Sequence, residues 1–142
     1  MKVYLAAGFF SLEQEASRQC VIQELKRSEF DFYSPKEDGL YVPGETPPQD
    51  VFDENIRQID ACDFVVASTA GKDLGTLFEC GYAYATGKPI VYFWHNGYGK
   101  FNLMLSQSGI AVATTPSHLR DILTEIKSTG KLEHTAFKGE IE

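Results

Sequence analysis

The chain has little of what marks several common classes of protein. Its three cysteines, Cys20, Cys62 and Cys80, are scattered and odd in number, which fits neither a disulfide framework nor a metal spacing. Its three histidines are isolated, so we predict no metal site. The 142 residues carry 13 basic against 20 acidic side chains, with no basic cluster, which argues against a nucleic-acid partner.

Long apolar runs and the common nucleotide-binding motifs are also missing. No run approaches the roughly 18 apolar residues of a membrane span, and the apolar stretch that opens the chain is too short for a signal peptide. Neither a G-x-G-x-x-G fingerprint nor a P-loop is present. We therefore expect a cytoplasmic protein with buried free thiols, no membrane partner, no metal and no cofactor.

What the chain does have is a regular alternation of strand and helix patterns. Strands are predicted at Lys2 to Ala7, Phe30 to Tyr33, Phe64 to Ala67, Ile90 to Trp94 and Ile110 to Ala113. Helices are predicted from Ser11 to about Arg27, Val51 to Cys62, Thr76 to Thr86, Phe101 to Ser106 and Pro116 to Ser128. This alternation predicts βαβ units in one domain spanning residues 1–142. The fold class is α/β, a flavodoxin-like doubly wound five-stranded parallel sheet in three layers, with strand order 2-1-3-4-5.

That strand order predicts a ligand crevice between the first and third strands. Phe9 and Phe10 follow the first strand, Asp73 follows the third, and Glu79 lies in the first turn of the next helix. Aromatic faces suit a flat heterocycle. Two carboxylates suit chemistry at the bond between a sugar and its leaving group. With Tyr4 nearby, this combination indicates a site for a nucleoside.

Each of these residues also has an ordinary structural interpretation. Thr76-x-x-Glu79 fits a capping box, in which the glutamate only satisfies a backbone N–H group. Asp73 fits a turn residue, and Phe9 and Phe10 fit a hydrophobic staple for the following helix. Both interpretations of each residue stay open at this point.

Two other segments are equally ambiguous. Residues 34–49 contain several prolines and glycines, and they predict either a lid over the crevice or a solvated loop without a role. Asn102 fits a helix cap, and Met104 fits core or interface filling.

Three segments resemble the nucleoside 2-deoxyribosyltransferases. The opening run VYLAAGFF, residues 3–10, is similar to the start of that family. The run DLGTLFECGYA, residues 73–83, with Gly-Lys-Pro at 87–89, resembles its nucleophile motif, and Asn-Leu-Met at 102–104 resembles a further element. The resemblance extends over nearly the whole chain and implies a homo-oligomer built from dimers with shared sites.

The resemblance implies roles for the residues of the crevice. Glu79 matches the nucleophile that attacks C1′ of the sugar, and Tyr4 matches the tyrosine that orients this carboxylate. Asp73 matches the acid that contacts the sugar or the base. Phe9 and Phe10 match aromatic residues that contact the base.

Other matches lie outside the crevice motifs. Asn102 and Met104 match residues lent to a neighbouring subunit, and the carboxylate of Glu142 matches one that reaches the 5′-hydroxyl region. One position departs from the family, because Asn55 stands where an aspartate is frequent. Its amide can hydrogen-bond the substrate but cannot deliver an acidic proton. The group that protonates the leaving base therefore stays open.

The function implied is exchange of the nucleobase of 2′-deoxynucleosides, in a pathway of nucleoside salvage. The sugar would pass through a covalent intermediate on Glu79, so that configuration is retained. One alternative is a hydrolase acting on a deoxynucleoside or its 5′-monophosphate, although no Arg or Lys follows the first strand to bind phosphate. Another is a nucleoside-binding module without catalysis.

Overall fold

A computed structural model describes residues 1–142, and its five strands form one parallel sheet. The strands are β1 (Lys2–Ala6), β2 (Asp31–Tyr33), β3 (Phe64–Ser68), β4 (Ile90–Phe93) and β5 (Ala111–Ala113). Their order, β2-β1-β3-β4-β5, confirms the predicted flavodoxin-like arrangement. All five residues of β3 are buried, as expected for a central parallel strand covered on both faces.

Helices cover both faces of this sheet. They are α1 (Leu12–Arg27), α2 (Pro35–Asp38), α3 (Pro48–Ala61), α4 (Leu74–Ala85), α5 (Leu103–Ser108) and α6 (Pro116–Thr129). Successive strand residues point to opposite faces. Val3 and Leu5 therefore pack in the core under α1 and α6, whereas Tyr4 and Ala6 pack in the core under α3 and α4. None of the helices has the length and apolarity that a membrane crossing requires.

The segment predicted as a long loop after β2 is more ordered than expected. Residues 35–38 form the short helix α2, and α3 begins at Pro48, three residues before the predicted start at Val51. Proline is suited to the first helical turn, because its missing N–H group would have no partner there. The irregular part is therefore reduced to residues 39–47.

The C-terminal tail, residues 131–142, had no predicted structure but is fixed at two places. Phe137 packs against Phe101 and Trp94, with ring centroids 5.5 and 6.4 Å apart. Ile141 then forms a parallel bridge with Phe101. The backbone N–H of Leu103 also donates to the carbonyl of Glu142 at 2.7 Å. The last residues consequently lie beside the start of α5.

Candidate active site

The loops after β1 and β3 lie in direct contact at the carboxyl edge of the sheet. A Cβ placed on Gly8 would lie 2.9 Å from the Cβ of Asp73, and one on Gly71 would lie 2.6 Å from Nε2 of Gln14. Gln14 is buried between the two loops, and its Oε1 accepts a hydrogen bond from the N–H of Phe10 at 2.8 Å. The two loops predicted to line the crevice therefore meet, and Gln14 joins them.

The structure contradicts the capping-box interpretation of Glu79. Helix α4 begins at Leu74, and its N-cap is Asp73, whose Oδ2 accepts from both the N–H and the hydroxyl of Thr76 at 2.8 Å. The capping box of Thr76 and Glu79 is therefore wrong. Glu79 lies in the second turn of the helix, not the first as predicted, because the helix starts two residues earlier.

Glu79 is half-buried, and one of its carboxylate oxygens is fully enclosed without a hydrogen-bond partner. Burial raises the pKa of Glu79 to about 7, Tyr4 partly opposes this by favouring the charged form, and the negative charge of Asp73 raises it further. The site therefore holds two acids close enough to influence one another, one of them with a pKa near neutrality.

Tyr4 lies beneath this carboxylate. Its side chain is fully buried in the core under α3 and α4, and its hydroxyl has no hydrogen-bond partner of normal geometry. Burial raises the pKa of Tyr4, and the adjacent Glu79 carboxylate raises it further. The phenol therefore remains protonated and can act as a donor towards the carboxylate.

Unpartnered polar atoms concentrate around the crevice. Besides Tyr4 and Glu79, the hydroxyls of Tyr33 and Thr69 are enclosed and lack partners, and Ser28 alone lies elsewhere. Buried polar groups in proteins are nearly always hydrogen-bonded. Such a concentration is typical of a surface that receives another polar molecule. Sequence analysis missed Tyr33, although its place at the end of β2 was a usable signal.

Two phenylalanines form the outer part of the site. The rings of Phe9 and Phe10 lie 4.5 Å apart, and Phe10 is 76% exposed. The hydrophobic-staple interpretation is wrong, because Phe10 does not pack on α1 and the staple position in the helix is Glu15. Both rings are therefore available to a flat ligand. The Nζ of Lys36 stands 5.7 Å from the Phe9 ring centroid.

A buried arginine holds α2 and Lys36 against this part of the site. Arg18 of α1 is fully buried and pairs with Glu37 of α2 at 2.6 Å and with Glu15 at 2.8 Å. Lys36 pairs with the same Glu15 at 3.1 Å. Because each charge has a partner, the network connects α1 to the segment after β2 without leaving a charge isolated.

None of the remaining predicted residues is hydrogen-bonded to the crevice acids. Asn55 is half-buried in α3, which packs against β1 and α4, and its amide makes no hydrogen bond. Asn102 is the N-cap of α5, since its Oδ1 accepts from a backbone N–H at 3.1 Å. Met104 is 71% exposed, and Glu142 lies beside it. No hydrogen bond joins residues 102–104 or Glu142 to Asp73 or Glu79 of the same chain. The two acids therefore come together without help from this segment.

Other places in the molecule fit the chemistry less well. A separate cavity of about 890 Å³ lies between α6 and the C-terminal tail, with Trp94, His118 and Phe137 among its lining residues. None of the unpartnered buried polar atoms lines it. No group of three His, Cys, Asp or Glu side chains is arranged to hold a metal ion. The crevice is therefore the best candidate for the functional site.

Comparison with known proteins gives a family and a fold. Residues 3–114 match the profile of a family described as nucleoside 2-deoxyribosyltransferase. A 2-deoxyribosyltransferase from Bacillus psychrosaccharolyticus superposes with a TM-score of 0.81 at 24% identity, over 96% of this chain and 99% of that chain. No curated protein matches the chain.

Two more distant solved structures share the architecture. A CMP N-glycosidase from Clostridium botulinum gives a TM-score of 0.59 at 16% identity, over 86% of this chain and 98% of that chain. A flavodoxin from Megasphaera elsdenii gives 0.54 at 12% identity, over 91% and 100%. At such identities the likeness establishes the flavodoxin-like fold.

Proposed function

Because the chain belongs to the nucleoside 2-deoxyribosyltransferase family, we propose that it exchanges the nucleobase of 2′-deoxynucleosides through a covalent intermediate on Glu79. The observation that carries this proposal is the half-buried Glu79 carboxylate, enclosed above a buried phenol and near a second acid. Sugar transfer with retention needs one carboxylate that attacks the anomeric carbon. A role in nucleoside salvage follows as part of the same proposal.

In the proposed reaction the carboxylate of Glu79 forms a bond to C1′ while the bond from C1′ to the base nitrogen breaks. A proton must reach the departing base. An incoming base then gives up the proton on its attacking nitrogen and bonds to C1′ from the face opposite Glu79, which releases the Glu79 carboxylate and restores the original configuration. The Tyr4 phenol donates to the attacking carboxylate and fixes its direction.

The structure also bears on the group that protonates the leaving base. Asn55 cannot supply an acidic proton. Asp73 lies in the crevice, but its Oδ2 is engaged as the helix cap. Its other oxygen is not used by the cap, so we propose that Asp73 contacts the base through Oδ1. Phe9 and Phe10 would hold the plane of the base.

Mass spectrometry of the intact protein tests the covalent step. Protein mixed with 2′-deoxyinosine or thymidine, without acceptor base, should gain the mass of one deoxyribosyl group, and peptide mapping should place it on Glu79. Glu79→Gln should show no added mass. Base exchange by the wild type without any detectable adduct, or an adduct at another residue, would contradict the mechanism.

A second candidate is a hydrolase that transfers the same intermediate to water. Two observations favour testing it: the similar architecture of a CMP N-glycosidase, and the position of Lys36 beside Phe9 at the outer part of the site. Release of base from a deoxynucleoside and from its 5′-monophosphate should be measured with and without a second base. Release that is unaffected by the second base, with no exchanged nucleoside, would favour the hydrolase.

We further propose that the enzyme is a homo-oligomer built from dimers with shared sites. Asn102, Met104 and Glu142 belong to one segment, in which the N–H of Leu103 donates to the carbonyl of Glu142, and Met104 is 71% exposed and so open to a neighbouring subunit. Apolar side chains are also exposed on the helix that carries Glu79; they are Leu74, Leu77, Phe78 and Tyr84. Exposed apolar patches of this kind are typical of association surfaces.

Mixing two inactive variants tests whether sites are shared. A dimer of Glu79→Ala with Asn102→Ala has one site with both defects and one with neither, so mixing should restore activity. Asn102→Ser controls for loss of the helix cap, because serine also caps helices. An active monomer at assay concentration, or no recovery after verified subunit exchange, would disprove shared sites.

A further inference from the structure

Tyr33 is the partner of Tyr4 on the neighbouring strand. The two residues are paired in the parallel register of β1 and β2, and their rings are stacked with centroids 5.8 Å apart and planes inclined by 23°. Tyr33 is 6% exposed, and its hydroxyl is enclosed without a hydrogen-bond partner. Two stacked phenols in the same core, both unpartnered, therefore lie on the side of the sheet that carries Glu79.

The charged groups around Tyr33 do not use its hydroxyl. Asp38 of α2 accepts from the backbone N–H of Ser34 at 2.8 Å. Glu54 of α3 binds Arg57 at 2.6 Å and accepts from Gln58 at 2.9 Å. None of these acids accepts from the Tyr33 hydroxyl, so the phenol keeps its donor for the functional site. Burial and the neighbouring acids raise the pKa of Tyr33, and the positive charge of Arg57 only partly opposes them, so the donor proton is retained.

We propose that Tyr33 is a positioning residue, which completes a chain of donors running from Tyr33 to Tyr4 and from Tyr4 to Glu79. The stack fixes the plane of the Tyr4 ring. When substrate binds and the site tightens, the Tyr33 hydroxyl donates to the Tyr4 oxygen, which leaves the Tyr4 proton directed at the carboxylate. Catalytic hydrogen bonds are commonly long in unliganded sites and shorten in the complex. Linked hydrogen bonds also strengthen one another. This inference rests on the proposed role of Glu79.

Tyr33→Phe removes the hydroxyl and keeps the stack, so it isolates the donor chain. We expect kcat to fall about three- to tenfold, the equivalent of one ordinary hydrogen bond, while KM stays within about twofold. In a Tyr4→Phe background the same change should have little further effect, because the chain is already broken. Tyr98→Phe, at a 95% exposed position in the loop after β4, is the matched control and should behave as wild type.

A second readout does not depend on turnover. Carbon NMR of the Glu79 carboxyl group, recorded with a non-cleavable nucleoside analogue bound, should show its pKa rising by about 0.5 to 1 in Tyr33→Phe, because the Tyr33–Tyr4 hydrogen bond that supports the ionised carboxylate in the complex is lost. Asp73 and Tyr4 face the same carboxylate and remain in place. Absence of a deoxyribosyl adduct in the wild type would overturn the role of Glu79, and the NMR titration would still test the donor chain.

Three results would overturn the role of Tyr33. One is an unchanged kcat together with an unchanged pKa of Glu79. Another is a loss that adds fully to that of Tyr4→Phe, since independent effects add whereas linked ones do not. The third is an effect confined to KM, which would make Tyr33 a substrate contact. Thermal unfolding of the variant checks that the fold is intact.

Discussion

Replacing Glu79 by glutamine should stabilise the protein while it abolishes transfer. The amide keeps the size of the side chain but carries no charge and cannot attack C1′. The native carboxylate is costly to bury, since its pKa is about 7 where an ordinary glutamate has 4.5. The folded state therefore holds this proton more tightly than the unfolded state, and ionisation at neutral pH works against folding.

The size and the pH range of this stabilisation follow from the two pKa values. Below pH 4.5 both states are protonated, and the charge costs nothing. Between pH 4.5 and 7 the unfolded state ionises first, and the wild type loses stability as the pH rises. Above pH 7 the loss of stability reaches its full value of about 3 kcal/mol, because each unit of difference between the two pKa values costs about 1.4 kcal/mol. For a chain of this length that corresponds to roughly 10 °C in Tm.

Thermal unfolding of wild type and Glu79→Gln should be recorded from pH 4 to pH 8.5, in parallel with base exchange. We expect the two Tm curves to meet at the acidic end and to separate towards pH 8, with the variant higher and inactive. Glu13→Gln, at an exposed position of α1, controls for the loss of one negative charge. Equal Tm values at pH 8, or a difference that does not depend on pH, would refute the reasoning about burial. Exchange near the wild-type rate would refute the reasoning about the nucleophile.

Further predictions concern the groups around Glu79. In steady-state kinetics, Tyr4→Phe should lower kcat about 10- to 100-fold with a smaller change in KM, because Glu79 loses a hydrogen-bond donor. A change in KM alone would contradict the role of Tyr4. The acidic limb of the pH profile of kcat/KM should lie near pH 7, where Glu79 ionises. Asp73→Asn should move this limb to lower pH, because it removes a negative charge beside Glu79 while asparagine still caps α4. If the limb does not move, it reports the ionisation of another group. Gln14→Leu should raise KM for the nucleoside about two- to tenfold, because the Phe10 N–H loses its acceptor. Gln14→Glu keeps an acceptor and should raise KM less. Equal KM values for the two variants would show that this hydrogen bond does not contribute to binding.

The strand order and the meeting of the loops after β1 and β3 could be predicted because they depend on local patterns. The buried run of β3 and the alternation with helices leave one sheet order with the crevice between β1 and β3. The start of α4 was harder to predict. Asp73 and Thr76 are both good caps, and only the structure shows that the aspartate binds the threonine and becomes the cap.

Other features depend on contacts between distant parts of the chain. The stack of Tyr33 on Tyr4 requires the register of β1 with β2, which no single-segment pattern contains. The tail has no periodicity because it is held by Phe137 and by single backbone contacts with Ile110 and the start of α5, not by a repeating pattern of burial. The assignment of Asn102 and Met104 to a neighbour's site came from family resemblance alone.

Because Gln14 is buried between the two loops, the amide proton of Phe10 can report on the opening of the crevice. The amide proton of Phe10 is hydrogen-bonded only while the Gln14 side chain stays in place against Gly71. Its rate of hydrogen exchange therefore measures how frequently the walls of the crevice separate. A single backbone signal could thus follow opening and closing of the site, in the free protein or with nucleoside, with no label on the substrate.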